Sequence, residues 1–229
     1  SPNLPWYAQF LIIFCIGTTI RHACTLGMHE CSHNLVGATE NENYWWGFVA
    51  NIPLVFPASV RFRRYHMIHH ANPNSLAKDP DMPSEWEKKH LLTSTAGRIL
   101  FLILQPVFYG IRPCIVFPLP PNLSEAYNYA FQIAFLAIWY QVAGIRGMIY
   151  MLGAVLCMGL HPVSGHFVSE HALSASSNGD NADADNLTFS YYGWWNPIMF
   201  NVGYHREHHD VAKCPGSRLP QLRKLYPEL

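Results

Sequence analysis

The chain has 229 residues, half of them hydrophobic and only 13% charged, against roughly a quarter in soluble domains, so its composition points to a bilayer. Fifteen basic and fifteen acidic residues cancel, and no basic tract is interleaved with aromatics, which argues against nucleic-acid binding. The six cysteines are scattered without a Cys-x-x-Cys pair, which argues against a disulfide framework or a zinc ribbon.

Residues 1–20 carry no charge and have the length and apolarity of a helix that crosses the hydrocarbon core of about 30 Å. A first span is therefore expected near 4–24, its helix continuing past Arg21 into His29-Glu-Cys-Ser-His33. Residues 43–60 follow, apolar and aromatic but interrupted by prolines, and then His66-Met-Ile-His69-His70. The apolar stretch 99–119 contains Arg112 and internal prolines. Two uncharged stretches, near 126–145 and 147–165, are separated only by Arg146 and read as a hairpin through the membrane. Past them comes His161-Pro-Val-Ser-Gly-His166-Phe-Val-Ser-Glu-His171. Residues 172–186 are a polar loop whose three aspartates lack the spacing of a calcium-binding loop. Residues 187–203 are rich in aromatics and amides and lead into His205-Arg-Glu-His208-His209.

The three clusters share helical spacing, so each can turn two or three imidazoles toward one point. Eight of thirteen histidines fall in these matching groups beside apolar spans, which makes a metal centre far more economical than chance or a surface feature. Eight imidazoles are too many for one tetrahedral zinc, so two metals are expected, and imidazole alone suits iron, copper, nickel or zinc. A ninth ligand is expected from the 161–171 segment, His171 as first choice and His166 as second. Glu30, Glu170, Glu207 and Asp210 adjoin ligand positions and are candidates for holding imidazole tautomers from behind. His22 and His90 receive no role.

If all clusters build one site they lie on one side of the membrane, so the chain between them crosses an even number of times. A stretch as short as 43–60 cannot cross twice, which makes interfacial helices of 43–60, 99–119 and 187–203. Arg61, Arg63 and Arg64 then put the active face in the cytosol by the positive-inside rule, and the sequons at Asn122 and Asn186 stay unmodified there. The expected architecture is all-α: one membrane domain over 1–229, polytopic, with a cytosolic histidine-rich cap. The chain lacks an initial methionine and is expected to be a fragment lacking both termini. It contains no dinucleotide-binding glycine turn, P-loop or haem attachment motif, so redox chemistry requires an external electron donor.

Arg64-Tyr-His-Met67, Gly159-Leu-His-Pro-Val-Ser-Gly-His-Phe-Val-Ser-Glu-His171, Ser190-Tyr-Tyr-Gly193 and Phe200-Asn-Val-Gly-Tyr-His-Arg-Glu-His-His-Asp210 carry a family resemblance, with weaker similarity across nearly the whole chain. The chain resembles membrane desaturases and hydroxylases with three histidine boxes, most closely the sphingolipid delta-4 desaturases. The resemblance implies two non-haem irons, molecular oxygen, and electrons from NADH through cytochrome b5 and its reductase. It further implies an endoplasmic-reticulum membrane location and insertion of a trans 4,5 double bond into dihydroceramide to give ceramide. Carried over, the iron ligands are His29, His33, His66, His69, His70, His205, His208 and His209, with His171 or His166 completing the set. The chain departs from the family over Ala71 to Pro83, in the loop after His171, and at Val211-Ala212, where an aromatic-proline pair is usual. Alternatives are a C4-hydroxylase or bifunctional enzyme, an acyl-lipid desaturase of other regiochemistry, and a histidine-rich metal transporter.

Overall fold

The computed structural model describes residues 4–75, 77–170 and 188–228. Every regular element among the described residues is a helix. His171, the loop 172–186 and the start of the 187–203 stretch lie outside the described residues.

The N-terminal apolar run forms one rod from three consecutive pieces: α1 (Trp6–Leu11), a π-helical turn (Ile12–Gly17) and α2 (Thr18–Ser32). It is long and apolar enough to cross a membrane, as are α6 (Thr95–Val116) and the stretch Leu123–Leu160. These helices turn Ile16, Ile20, Ile111, Ile115, Ile138, Val142 and Leu152 outward. Asn51, Asn128, Gln132 and Arg112 are buried instead. Apolar outside and polar inside is the arrangement of a membrane protein, whose lipid-facing surface has no water to avoid.

The α7 helix (Leu123–Cys157) would run about 52 Å if straight. It breaks at Gly144, whose φ of 61° and ψ of −167° suit glycine and few other residues. The limb before the break starts against α4 (Ser59–Ala71), where Glu125 pairs with Arg64 and lies 2.7 Å from Arg61. It then runs away from the histidine-bearing end, Gln132 meeting Asn51 at 2.9 Å. The limb after the break climbs back alongside the first rod, with Tyr150 donating to Gln9 and Thr18 close to the Ala154 carbonyl. Small residues allow this approach: a Cβ added to Gly17 would stand 3.3 Å from that of Ala154, and one on Gly153 3.1 Å from Ile13.

A second hairpin joins α2 to α3 (Glu40–Asn51) and α3 to α4. Thr39 and Glu42 form a capping box at the start of α3. Pro53 and Pro57 end the expected 43–60 helix early, leaving a 3₁₀ turn (Ile52–Leu54) and Val55 at a φ of 69°. The wholly buried Asn51 amide holds this reversal, donating to Phe56 and Gln132 while accepting from the backbone of Ala58 and Ser59 at 2.7 Å each.

Two further stretches differ from expectation. α6 is capped by Ser94, whose hydroxyl accepts from the Gly97 amide, and runs from Thr95 through Pro106 and Pro113 without ending. Residues 194–203 form successive turns rather than a helix, because Phe200 and Asn201 take left-handed φ values of 57° and 64°. The Asn196 side chain locks those turns, accepting from the Gly203 amide and donating to the Tyr191 carbonyl.

Candidate metal centre

The α2–α3–α4 arrangement lays His29 and His33 beside His66 and His70. The turns before α9 (His205–Asp210) bring the third cluster over them. Five histidines converge: potential ligand atoms of His29, His33, His66, His70 and His208 all lie within 4.8 Å of one another. His69, His205 and His209 form a second such group. The groups adjoin, the His70 and His209 rings stacking with centroids 4.2 Å apart.

Ring nitrogens meet head to head, His33 and His66 at 2.8 Å, His66 and His70 at 3.0 Å, His70 and His208 at 3.1 Å, and His69 and His209 at 3.2 Å. Five imidazoles with ring nitrogens gathered within 4.8 Å of one another match the neutral nitrogen donors that a transition-metal cation takes. A cation at the centre of each group uses the lone pairs that face inward. The donor set therefore fits metal.

Several ties hold this geometry. Arg63 donates to the Cys31 carbonyl, Asn34 and Glu40, fixing the end of α2 to α4. Lys213 donates to the His33 carbonyl at 2.7 Å, bringing the segment after α9 onto the same end. The Ser190 hydroxyl accepts from the Arg206 amide and donates to Glu207, capping α9.

The carboxylates expected behind the histidines divide. Glu30 lies 3.7 Å from His29 Nδ1 and accepts from the Gly216 amide. Glu170 lies 3.0 Å from His166 Nδ1 and 3.6 Å from His205 Nδ1. Glu207 is fully buried but turns to Ser190, Tyr192 and Arg223. Asp210 is half-exposed and faces Arg206 at 3.9 Å. His166 reaches the site through Glu170 and stands in neither converging group; its ring lies 5.2 Å from that of His22.

Asp79, absent from the expected set, is fully buried with both oxygens 2.9 Å from His69 Nδ1. It lies in the stretch that departs from the family pattern, and the sequence signal for it is an Asp-Pro-Asp soon after a histidine cluster. An apolar cavity of about 480 Å³ has Ala23, Leu26, Phe200 and Leu219 in its wall together with His29, His205 and His208.

Burial, reinforced by neighbouring imidazoles, holds His33, His66 and His208 well below the usual histidine range. For His69 burial acts the same way, but the Asp79 hydrogen bond and the Asp81 and Asp79 charges outweigh it and raise its pKa. Above pH about 6.5 the three depressed histidines are neutral folded or unfolded, and their contribution to stability is fully present. As pH falls below that value the unfolded chain takes protons that the folded chain refuses, so these three make stability decline; His69, and Asp81 whose carboxyl burial pushes up to about 6, work oppositely, two against three. For the metal-free protein the unfolding midpoint in detergent is expected to drop as pH falls below about 6.5. A midpoint that rises on acidification contradicts this.

Among known families, the fatty acid desaturase family matches residues 4–229. The chain is 40% identical over 229 residues to the sphingolipid delta(4)-desaturase DES1 of Drosophila melanogaster, covering 99% of this chain and 68% of that protein. The DES1 of Bos taurus is 39% identical with the same coverage. A putative sphingolipid delta(4)-desaturase/C4-monooxygenase of Caenorhabditis elegans is 39% identical over 226 residues, covering 97% of this chain and 60% of that protein. No solved structure matches.

Proposed function

Since the chain belongs to the fatty acid desaturase family, we propose that this membrane oxidoreductase inserts a trans 4,5 double bond into the long-chain base of dihydroceramide, giving ceramide. The observation that carries the reading is the pair of adjoining histidine groups beside an apolar cavity, in a chain about 40% identical to sphingolipid delta(4)-desaturases along almost its whole length.

The first group would hold one iron through His29, His33, His66, His70 and His208, and the second another through His69, His205 and His209; His171, outside the described residues, is the first choice to complete the set, and His166, which stands in neither group, the second. Bound there, iron supplies with molecular oxygen the oxidising power that an unactivated C–H bond demands. The balance is a CH₂–CH₂ unit, O₂, two electrons and two protons in, and a CH=CH unit and two waters out. The chain carries no redox cofactor motif, so cytochrome b5 and its NADH-dependent reductase are the proposed donors. The protein's own part is positional. Histidines on three helices fix two adjoining centres, Arg63 and Lys213 pin the end of α2, and the cavity beside His29, His205 and His208 offers a lipid chain a place next to them.

In this reading the site lies on the cytosolic face of the endoplasmic-reticulum membrane, with Arg61, Arg63 and Arg64 on that side. The first rod and the two limbs of α7 are the crossings. Parity puts α6 along the interface: Arg112 near its end reaches Glu87 and the Asp81 carbonyl on the site face. Its start follows α5 (Glu85–His90) after only four residues, too few to cross about 30 Å.

A second reading, C4-hydroxylation or both activities, is favoured by the name of the Caenorhabditis elegans relative. Removal of the first hydrogen is common to both, and the ligand set does not separate them. Expression in a host lacking the activity, followed by mass spectrometry of long-chain bases, is expected to yield 4,5-unsaturated base. Only 4-hydroxylated base favours the second reading, and altered fatty acids with unchanged sphingolipids rule out both.

A further inference from the structure

His69 occupies a special place in the second cluster. His66 and His70 join the five-histidine group, whereas His69 crosses to the other group, its Nε2 3.2 Å from that of His209. A histidine can ligate through Nε2 only if its proton sits on Nδ1, and the partner of Nδ1 decides that. Here the partner is Asp79, with both oxygens at 2.9 Å. A carboxylate only accepts, so this contact puts the proton on Nδ1 and leaves the Nε2 lone pair for metal.

Asp79 is itself fixed from behind. Its oxygens accept from the Asn74 amide at 2.8 Å and the Asp81 amide at 2.9 Å, and the pair with His69 is sealed from solvent. Arg112 braces the same loop from α6, donating to the Asp81 carbonyl at 2.8 Å. Asp81, by contrast, stands 3.8 Å from His69 Nδ1 and is partly exposed. We infer that Asp79 is the positioning residue of the second metal group, fixing the tautomer and ring direction of His69. This rests on the reading of the histidine groups as a metal centre.

The test is iron release from the purified full-length holoenzyme to a chromogenic chelator, a readout independent of which lipid is oxidised. Asp79→Asn is expected to release one of the two irons roughly 10- to 100-fold faster, the size of effect typical of a group behind a metal ligand. Asp79→Glu, its carboxylate displaced by one methylene in a closed site, is expected to fall between the variant and the wild type. In a His69→Gln background Asp79→Asn is expected to change nothing further, because its effect passes through His69. Wild-type release from folded Asp79→Asn, or an additive effect in the His69→Gln background, overturns the assignment. If Asp79→Asn does not fold, Asp79→Glu decides, and wild-type release from it overturns the assignment too. A folded wild-type protein that holds no metal fails the metal-centre reading instead.

Discussion

Replacing His208 by alanine is expected to reduce product formation by at least about 100-fold and to cost the protein bound metal. Groups that only support a metal ligand cost roughly 10- to 100-fold when lost, and a direct ligand costs at least the upper end of that. His208 is the one residue of the third cluster in the five-histidine group. Its ring lies 4.4 Å from that of His29 and 4.7 Å from that of His33, and its Nε2 is 3.1 Å from that of His70. It therefore joins α9 to α2 and α4 as well as supplying a nitrogen. Metal analysis of the purified variant together with mass spectrometry of the lipid product checks both parts. His90→Ala is the control, since His90 is exposed on α5 and stacks on Trp86 away from the centre. Full activity with full metal content in His208→Ala contradicts the ligand assignment.

Arg112→Leu is expected to lower stability by about 3–5 kcal/mol, the cost of leaving a buried charge without its partner. Arg112 and Glu87 are 4% and 3% exposed, and the guanidinium makes contacts of 2.7 to 3.0 Å to the carboxylate. Burial alone would raise the Glu87 carboxyl, but the hydrogen bonds from Arg112 and Ser84 hold it below its ordinary value. Removing the cation strands that carboxylate. The unfolding midpoint in detergent is expected to fall by roughly 10 °C, at a few degrees per kcal/mol for a chain of this size. Adding Glu87→Leu is expected to restore most of the loss, because two apolar side chains then meet without a stranded charge. A single variant as stable as the wild type, or a double variant no better than the single, contradicts this account.

The sequence by itself determined the all-helical class, the membrane setting, and which eight histidines gather. Those follow from local patterns: apolar runs of spanning length, and imidazoles three or four residues apart, which must share a helix face wherever the helix goes. The continuation of the first apolar helix to His29 and His33 belongs here too, since no glycine–proline break interrupts it. Only the tertiary structure decided how those histidines divide. His66, His69 and His70 look equivalent along α4, yet His69 alone leaves the five-membered group, because α9 crosses on that side and Asp79 waits behind it. The carboxylates separated for the same reason. Glu207 is as close to the third cluster in sequence as a residue can be, but its direction is set by Ser190, Tyr192 and Arg223. The turns of 194–203 depend on the Asn196 amide and two left-handed residues, which an aromatic-rich stretch does not announce. Arg112 reads as a flaw in an apolar helix until Glu87 is found beside it. Periodicity states which face a residue occupies on its own helix. What stands opposite that face depends on contacts between residues far apart in the chain.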